Sequence, residues 1–155
     1  TLLFSYLWSA YNEAIARKDI TWVRRTFRLT LYAGASFTFV AVLALAFVVR
    51  PFIGWWAAPS IEPSYTLIVW IATWSVINSF TNPIACLLAA ASHLRAQTIY
   101  STIATIVNIF LSIHLSKLWG LDGVIAGTVI SYAVFLCIPA FVDVTALLKR
   151  LQNAL

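Results

Sequence analysis

Charge is what this sequence lacks. Ten cations and five anions make 10% of its 155 residues charged, against roughly 25% in water-soluble domains. Fifteen charged side chains are too few to coat a soluble fold of this size, so the composition excludes an ordinary globular domain. Cysteine is scarce as well. Cys86 and Cys137 fall inside apolar segments without C-x-x-C spacing, and read as small buried hydrophobes that indicate no redox compartment. No N-x-S/T acceptor occurs. Walker A, G-x-G-x-x-G and H-E-x-x-H motifs are absent, as is any acidic pair suited to metal or sugar chemistry. His93 and His114 have no Ser, Cys or carboxylate partner at meaningful spacing and read as interfacial polar residues. The residues therefore carry no enzyme signature, and no catalytic group, metal, cofactor or nucleic-acid partner is expected. Nothing resembles a cleavable signal peptide. The chain opens at Thr1 inside the apolar run TLLFSYLW, as expected for an internal or C-terminal piece of a longer protein.

What is present is hydrophobicity: 62% of residues are apolar, 15% are aromatic, and mean hydropathy is +0.91. A spanning helix needs about 20 mostly apolar residues. Four segments qualify, at 29–49, 65–92, 96–115 and 124–148, and residues 1–11 read as the tail of a truncated span. The expected fold is all-α, a polytopic transmembrane helix bundle. Its breaks carry turn chemistry: RPFIGWWAAPSIEPS holds three prolines and a glycine, and KLWGLDG two glycines.

The few cations are segregated. Arg17, Lys18, Arg24, Arg25 and Arg28 crowd into 12–28, and alternating loops put them on one side with Arg95, Lys149 and Arg150. Only Arg50 and Lys117 lie on the other. Eight against two is a positive-inside bias, which makes 12–28 a cytoplasmic anchor and places both ends of the chain in the cytoplasm. Trp55, Trp56 and Trp119 fall near the opposite interface. Asp19 suits the N-cap of a helix beginning at Ile20 and running into the first full span. Trp8, Tyr11 and Ile15 share one face, giving 12–28 and its approach the character of a basic amphipathic segment. Two readings stand for it: a solvated topogenic loop, or direct contact with lipid phosphates.

Polar residues inside the spans are costly, so their register is informative. Gln97, Ser101, Thr105, Asn108 and Ser112 recur on one helical face, and Asn78 and Asn82 sit one turn apart beside Thr81 and Pro83. Asn78, Asn82, Ser101, Thr105 and Asn108 are expected to turn inward as a polar seam. They serve either as interhelical glue or as the lining of a substrate cavity. Pro83 withdraws a donor from the Ser79 carbonyl and is expected to kink its helix. Gly120, Gly123 and Gly127 suit close helix packing. Asp143, the one acid inside an apolar run, reads either as an interfacial acid or as a proton or sodium site.

Two stretches carry a family resemblance. LWSAYNEAIARKDITWVRRTFRLTL resembles the cytoplasmic segment of bacterial polysaccharide flippases, with the pattern EA-x-A-R-x-D-x-x-W-V-R-R at Glu13, Ala14, Ala16, Arg17, Asp19, Trp22, Val23, Arg24 and Arg25. Lys18 stands where that family has Gly, and Ser9 where it often has Pro. LAAASHLRAQTIYSTIATIVNIFLSIHLSKLWGLDGVIAGTVISY is similar to the family's penultimate hairpin, through Asn108, Gly120, Gly123, Gly127 and Thr128. Many of these proteins have Gly at Ser92-His93. The resemblance implies the multidrug/oligosaccharidyl-lipid/polysaccharide exporter superfold, two six-helix lobes around a cavity of alternating access. This chain would supply the tail of helix eight and helices nine to twelve. It also implies a bacterial inner-membrane location, membrane lipids and polysaccharide assembly machinery as partners, and an undecaprenyl-pyrophosphate-linked oligosaccharide as cargo. In such families the cavity is lined largely by early helices of each lobe. A cation-coupled drug exporter of the same superfold, or a membrane-embedded glycosyl- or acyltransferase, are the alternatives.

Overall fold

The computed structural model describes the backbone of residues 2–56 and 64–153, and among these there is no strand. Helix α1 spans Leu2–Ala16, α2 Ile20–Trp56, α3 Tyr65–Ala90 and α4 Leu94–Trp119. The last rod comprises α5 (Leu121–Tyr132), a π-helical turn over Ala133–Cys137, and α6 (Ile138–Asn153). Four stretches, Ile20–Val49, Tyr65–Ala90, Leu94–Trp119 and Leu121–Gln152, are long and apolar enough to cross a bilayer. The chain is a polytopic helical membrane protein.

The helices begin and end for identifiable reasons. Asp19 caps α2, its carboxylate accepting the Trp22 N–H at 3.0 Å. The α1–α2 corner closes with the Lys18 N–H on the Ile15 carbonyl (3.1 Å) and the Asp19 N–H on the Ala14 carbonyl (2.9 Å). These are the paired bonds of a Schellman motif, which needs a left-handed residue after the helix. Lys18 is that residue, at φ 59°. The α3–α4 corner repeats the device: Ser92 N–H bonds the Ala89 carbonyl (3.1 Å), His93 N–H bonds the Leu88 carbonyl (2.9 Å), and Ser92 has φ 61°. Among the described residues these are the two non-glycine positions with positive φ.

Segment 12–28 is divided among three elements. Residues 12–16 finish α1, 17–19 form the turn, and 20–28 are the first turns of α2. The turn folds α1 back onto α2 and α3, so Tyr11 is fully buried, while Trp8 stays about half exposed at 49%. Pro51 and Gly54, expected in the break after the first span, lie within α2. Pro51 has no N–H for the Phe47 carbonyl, a loss that membrane helices tolerate where neighbouring groups re-satisfy the freed carbonyl. The rest of that break, 57–63, and the side chains of Trp55 and Trp56 lie outside the described residues.

Helix α3 is central and touches every other helix. The main core gathers at one end of the bundle, where α1, α3 and α6 finish and α2 begins. Tyr11 and Ala14, Val23 and Phe27, Ile84, Leu87 and Leu88, then Ala140, Val144 and Leu147 form one buried cluster. Tyr11 meets Trp22 edge-on at 6.0 Å and 69°. Arg17, Lys18, Arg24, Arg25, Arg28, Arg95, Lys149 and Arg150 all belong to this hub end by their positions along the helices. Arg50 and Lys117 belong to the opposite end. Beyond the hub, α2 has no buried residue in its most apolar window, and Phe37, Phe39 and Phe47 are exposed. Such faces suit lipid rather than water.

Proline acts differently in two helices. Helix α3 remains α-helical across Pro83, from Tyr65 to Ala90. Around Pro139 the last rod widens instead into the π-helical turn, where the Ile138 N–H reaches back five residues to the Ala133 carbonyl. Pro139 has no N–H for the Phe135 carbonyl and its ring crowds that carbonyl. An extra residue in the turn relieves the crowding.

Candidate functional site

The polar residues of the spans are brought together at two separate places. The first is a clasp between α4 and α5. Gly123 and Gly127 let the backbones approach so closely that a Cβ on Gly123 would overlap the Leu115 carbonyl. One on Gly127 would lie 2.8 Å from the Ser112 nitrogen. Across this contact the Asn108 amide oxygen accepts from Ser112 Oγ on its own helix at 2.7 Å and from Thr128 Oγ1 on α5 at 3.2 Å. Ser112 Oγ also reaches the Val124 carbonyl at 3.2 Å. This geometry is interhelical hydrogen bonding, with glycines supplying the proximity. Gly120, at φ 60°, makes the turn that leads into it.

The second place is a groove of about 640 Å³ between α2 and α3. Thr30, Gly34 and Phe37 form part of one wall and Trp74, Asn78 and Asn82 part of the other. Asn78 spends an amide proton on the Trp74 carbonyl at 2.9 Å, and Asn82 is exposed. Trp74 also packs edge-on against Tyr132 of α5, at 4.8 Å and 85°. The groove is mostly apolar with an amide stripe, a lining suited to an amphiphilic molecule approaching from the bilayer.

Ser101 and Thr105, expected beside these residues, line neither place. Their hydroxyls return to carbonyls of their own helix, Ser101 to Thr98 at 3.0 Å and Thr105 to Ser101 at 2.8 Å, and Thr105 is exposed. Asn78 and Asn82 thus share one groove, whereas Asn108 belongs to the α4–α5 clasp.

Two polar contacts escaped the sequence reading. The Ser64 hydroxyl caps α3 by accepting the Leu67 N–H at 3.0 Å, and donates to the Asp122 carboxylate at 2.9 Å. It thereby ties the start of α3 to the start of α5. An acid in the first turn after Gly120 was the available signal. The second contact joins Tyr100 to Asp143, hydroxyl to carboxylate, at 2.9 Å. Nothing in the sequence pairs residues 43 apart on different helices.

Among the described residues no group of three or more His, Cys, Asp or Glu side chains could hold a metal ion. Cys86 and Cys137 are half-buried and form no disulfide. Comparison of the chain with protein-family models, curated proteins and solved structures finds no match.

Proposed function

We propose that the chain is part of a transporter that moves a lipid-linked oligosaccharide across the bacterial inner membrane by alternating access, with the hub end in the cytoplasm. The observation that carries this reading is conformational. The flippase-like pattern has glycine where this chain has Lys18, and commonly glycine at Ser92-His93. Lys18 and Ser92 are the two non-glycine residues held at positive φ among those described. The backbone therefore has the shape that the glycine-bearing pattern requires, although the residues differ. The gathering of eight cations at one end supports the orientation, and the amide-striped groove beside α2 supports an amphiphilic cargo.

The test uses the full-length protein in proteoliposomes carrying a fluorescent undecaprenyl-pyrophosphate oligosaccharide. Transfer between leaflets, read as quenching by an impermeant reductant, is the expected result. Absence of transfer, with proton-driven accumulation of small cationic drugs instead, would replace this reading with a drug exporter of the same architecture.

A further inference from the structure

The hub end holds three arginines, Arg24, Arg25 and Arg28, that no carboxylate among the described residues pairs with. The local acids are already engaged: Glu13 pairs with Arg17 at 2.6 Å, and Asp19 caps α2. Arg24, Arg25 and Arg28 have no ion pair among the described residues. They lie at three- and four-residue spacing on the first turns of α2, on one side of the helix. Like charges at that spacing repel, so an arrangement that keeps three guanidiniums together gains from an anion among them.

The cluster has the form of a cleft. Ile20, Thr21 and the three arginines line a cavity of about 510 Å³, and Gln152, near the end of α6, lines it as well. Ile20 and the arginine stems give it apolar lining, the guanidiniums, Thr21 and Gln152 supply donors, and the positive end of the α2 dipole lies beside it. Its depth is also set. Arg28 is followed at once by exposed Leu29 and by the uncharged run to Val49. The cleft therefore sits where the hydrocarbon ends and phosphates begin.

We infer that the Arg24/Arg25/Arg28–Gln152 cleft binds the phosphate of an anionic glycerophospholipid headgroup. The phosphate oxygens accept from the guanidiniums, and the acyl chains run along the exposed apolar face of α2. A basic pocket between membrane helices at headgroup depth is a physical match for such a lipid. The inference is independent of the transported cargo and stands on the cleft alone.

The experiment titrates phosphatidylglycerol into the full chain in uncharged detergent and reads the midpoint of thermal unfolding, with phosphatidylcholine and inorganic phosphate as separate arms. Phosphatidylglycerol should raise the midpoint saturably and the other two should not. In Arg24→Gln/Arg28→Gln the half-saturating lipid concentration should rise roughly thirtyfold, whereas Lys117→Gln at the far end should leave it unchanged. Should the double variant not fold, Gln152→Glu places a carboxylate on the opposite wall and should weaken binding in the same direction. An equal response to phosphatidylcholine would overturn the site, as would unchanged affinity in the cleft variants. Saturation by inorganic phosphate alone would assign the cleft to a soluble anion and overturn the lipid.

Discussion

Thr128 donates its hydroxyl across the α4–α5 interface to the Asn108 amide oxygen, 3.2 Å away. Removing either partner should loosen the hairpin without unfolding the bundle. A double-mutant cycle of Asn108→Ala and Thr128→Val, measured by reversible unfolding in mixed detergent, should return a coupling of about 0.6 kcal/mol. Thr105→Val, whose hydroxyl serves only its own helix and faces outward, should be nearly neutral. A Thr105 effect as large as that of Asn108 would mean the stripe is anchored elsewhere.

The corners give a prediction of opposite sign. Lys18→Gly and Ser92→Gly replace side-chain-bearing residues at φ 59° and 61°, relieving a left-handed strain that exceeds the extra chain entropy of glycine. Each should stabilise the protein by about 0.5–1 kcal/mol. Lys18→Val should destabilise it by more than that, because β-branching is least compatible with a left-handed backbone.

Glycine substitutions should grade with distance. Gly34→Ala brings its Cβ to 3.8 Å from the Ser79 carbonyl, an ordinary contact, and should change stability little. Gly127→Ala and Gly123→Ala force the α4 and α5 backbones apart and should each cost about 1–3 kcal/mol. Equal effects at all three positions in a chemical unfolding series would contradict the closeness of the clasp.

Tyr100→Phe removes the donor to Asp143 and should cost about 1 kcal/mol. Asp143→Asn keeps an oxygen to accept the bond and should cost less. The same unfolding assay checks both.

Cysteine labelling tests the arrangement of ends. Ser92→Cys and Lys18→Cys should react with an impermeant maleimide from one side of the membrane, and Ser64→Cys from the other. Labelling of all three from one face would break the antiparallel order of the spans.

The number of spans was legible because an uncharged run of membrane length has few other fates. Asp19 was legible too, since an Asp before Ile20-Thr21-Trp22 can only usefully accept from the N–H three residues on. The polar faces were read in register but not in partnership. Helical period says that Ser101, Thr105 and Asn108 lie along one stripe. Which neighbour comes within reach depends on where the glycines let α5 approach, and that is near Ser112 rather than Ser101. The left-handed backbone at Lys18 and Ser92 could not be read from residue type, because neither is Gly or Asn. Pro83 marks a kink in the sequence because it withdraws a donor from the Ser79 carbonyl, whereas the π-helical turn forms before Pro139, where the run AVFLC carries no turn signal.

The gathering of the main buried cluster at one end has a mechanical consequence. Helix α2 has 37 residues and so extends about 55 Å. It is gripped at Val23 and Phe27 and has no buried residue in its most apolar window. It is a long lever with its fulcrum at the cationic end. A few degrees of rocking about Val23 and Phe27 would sweep the far tip through several ångströms. The α2–α3 groove lies along that arm, so a change of angle at the fulcrum would change its width. Substitutions that stiffen Val23 or Phe27 would therefore set how far the groove opens, without touching its walls.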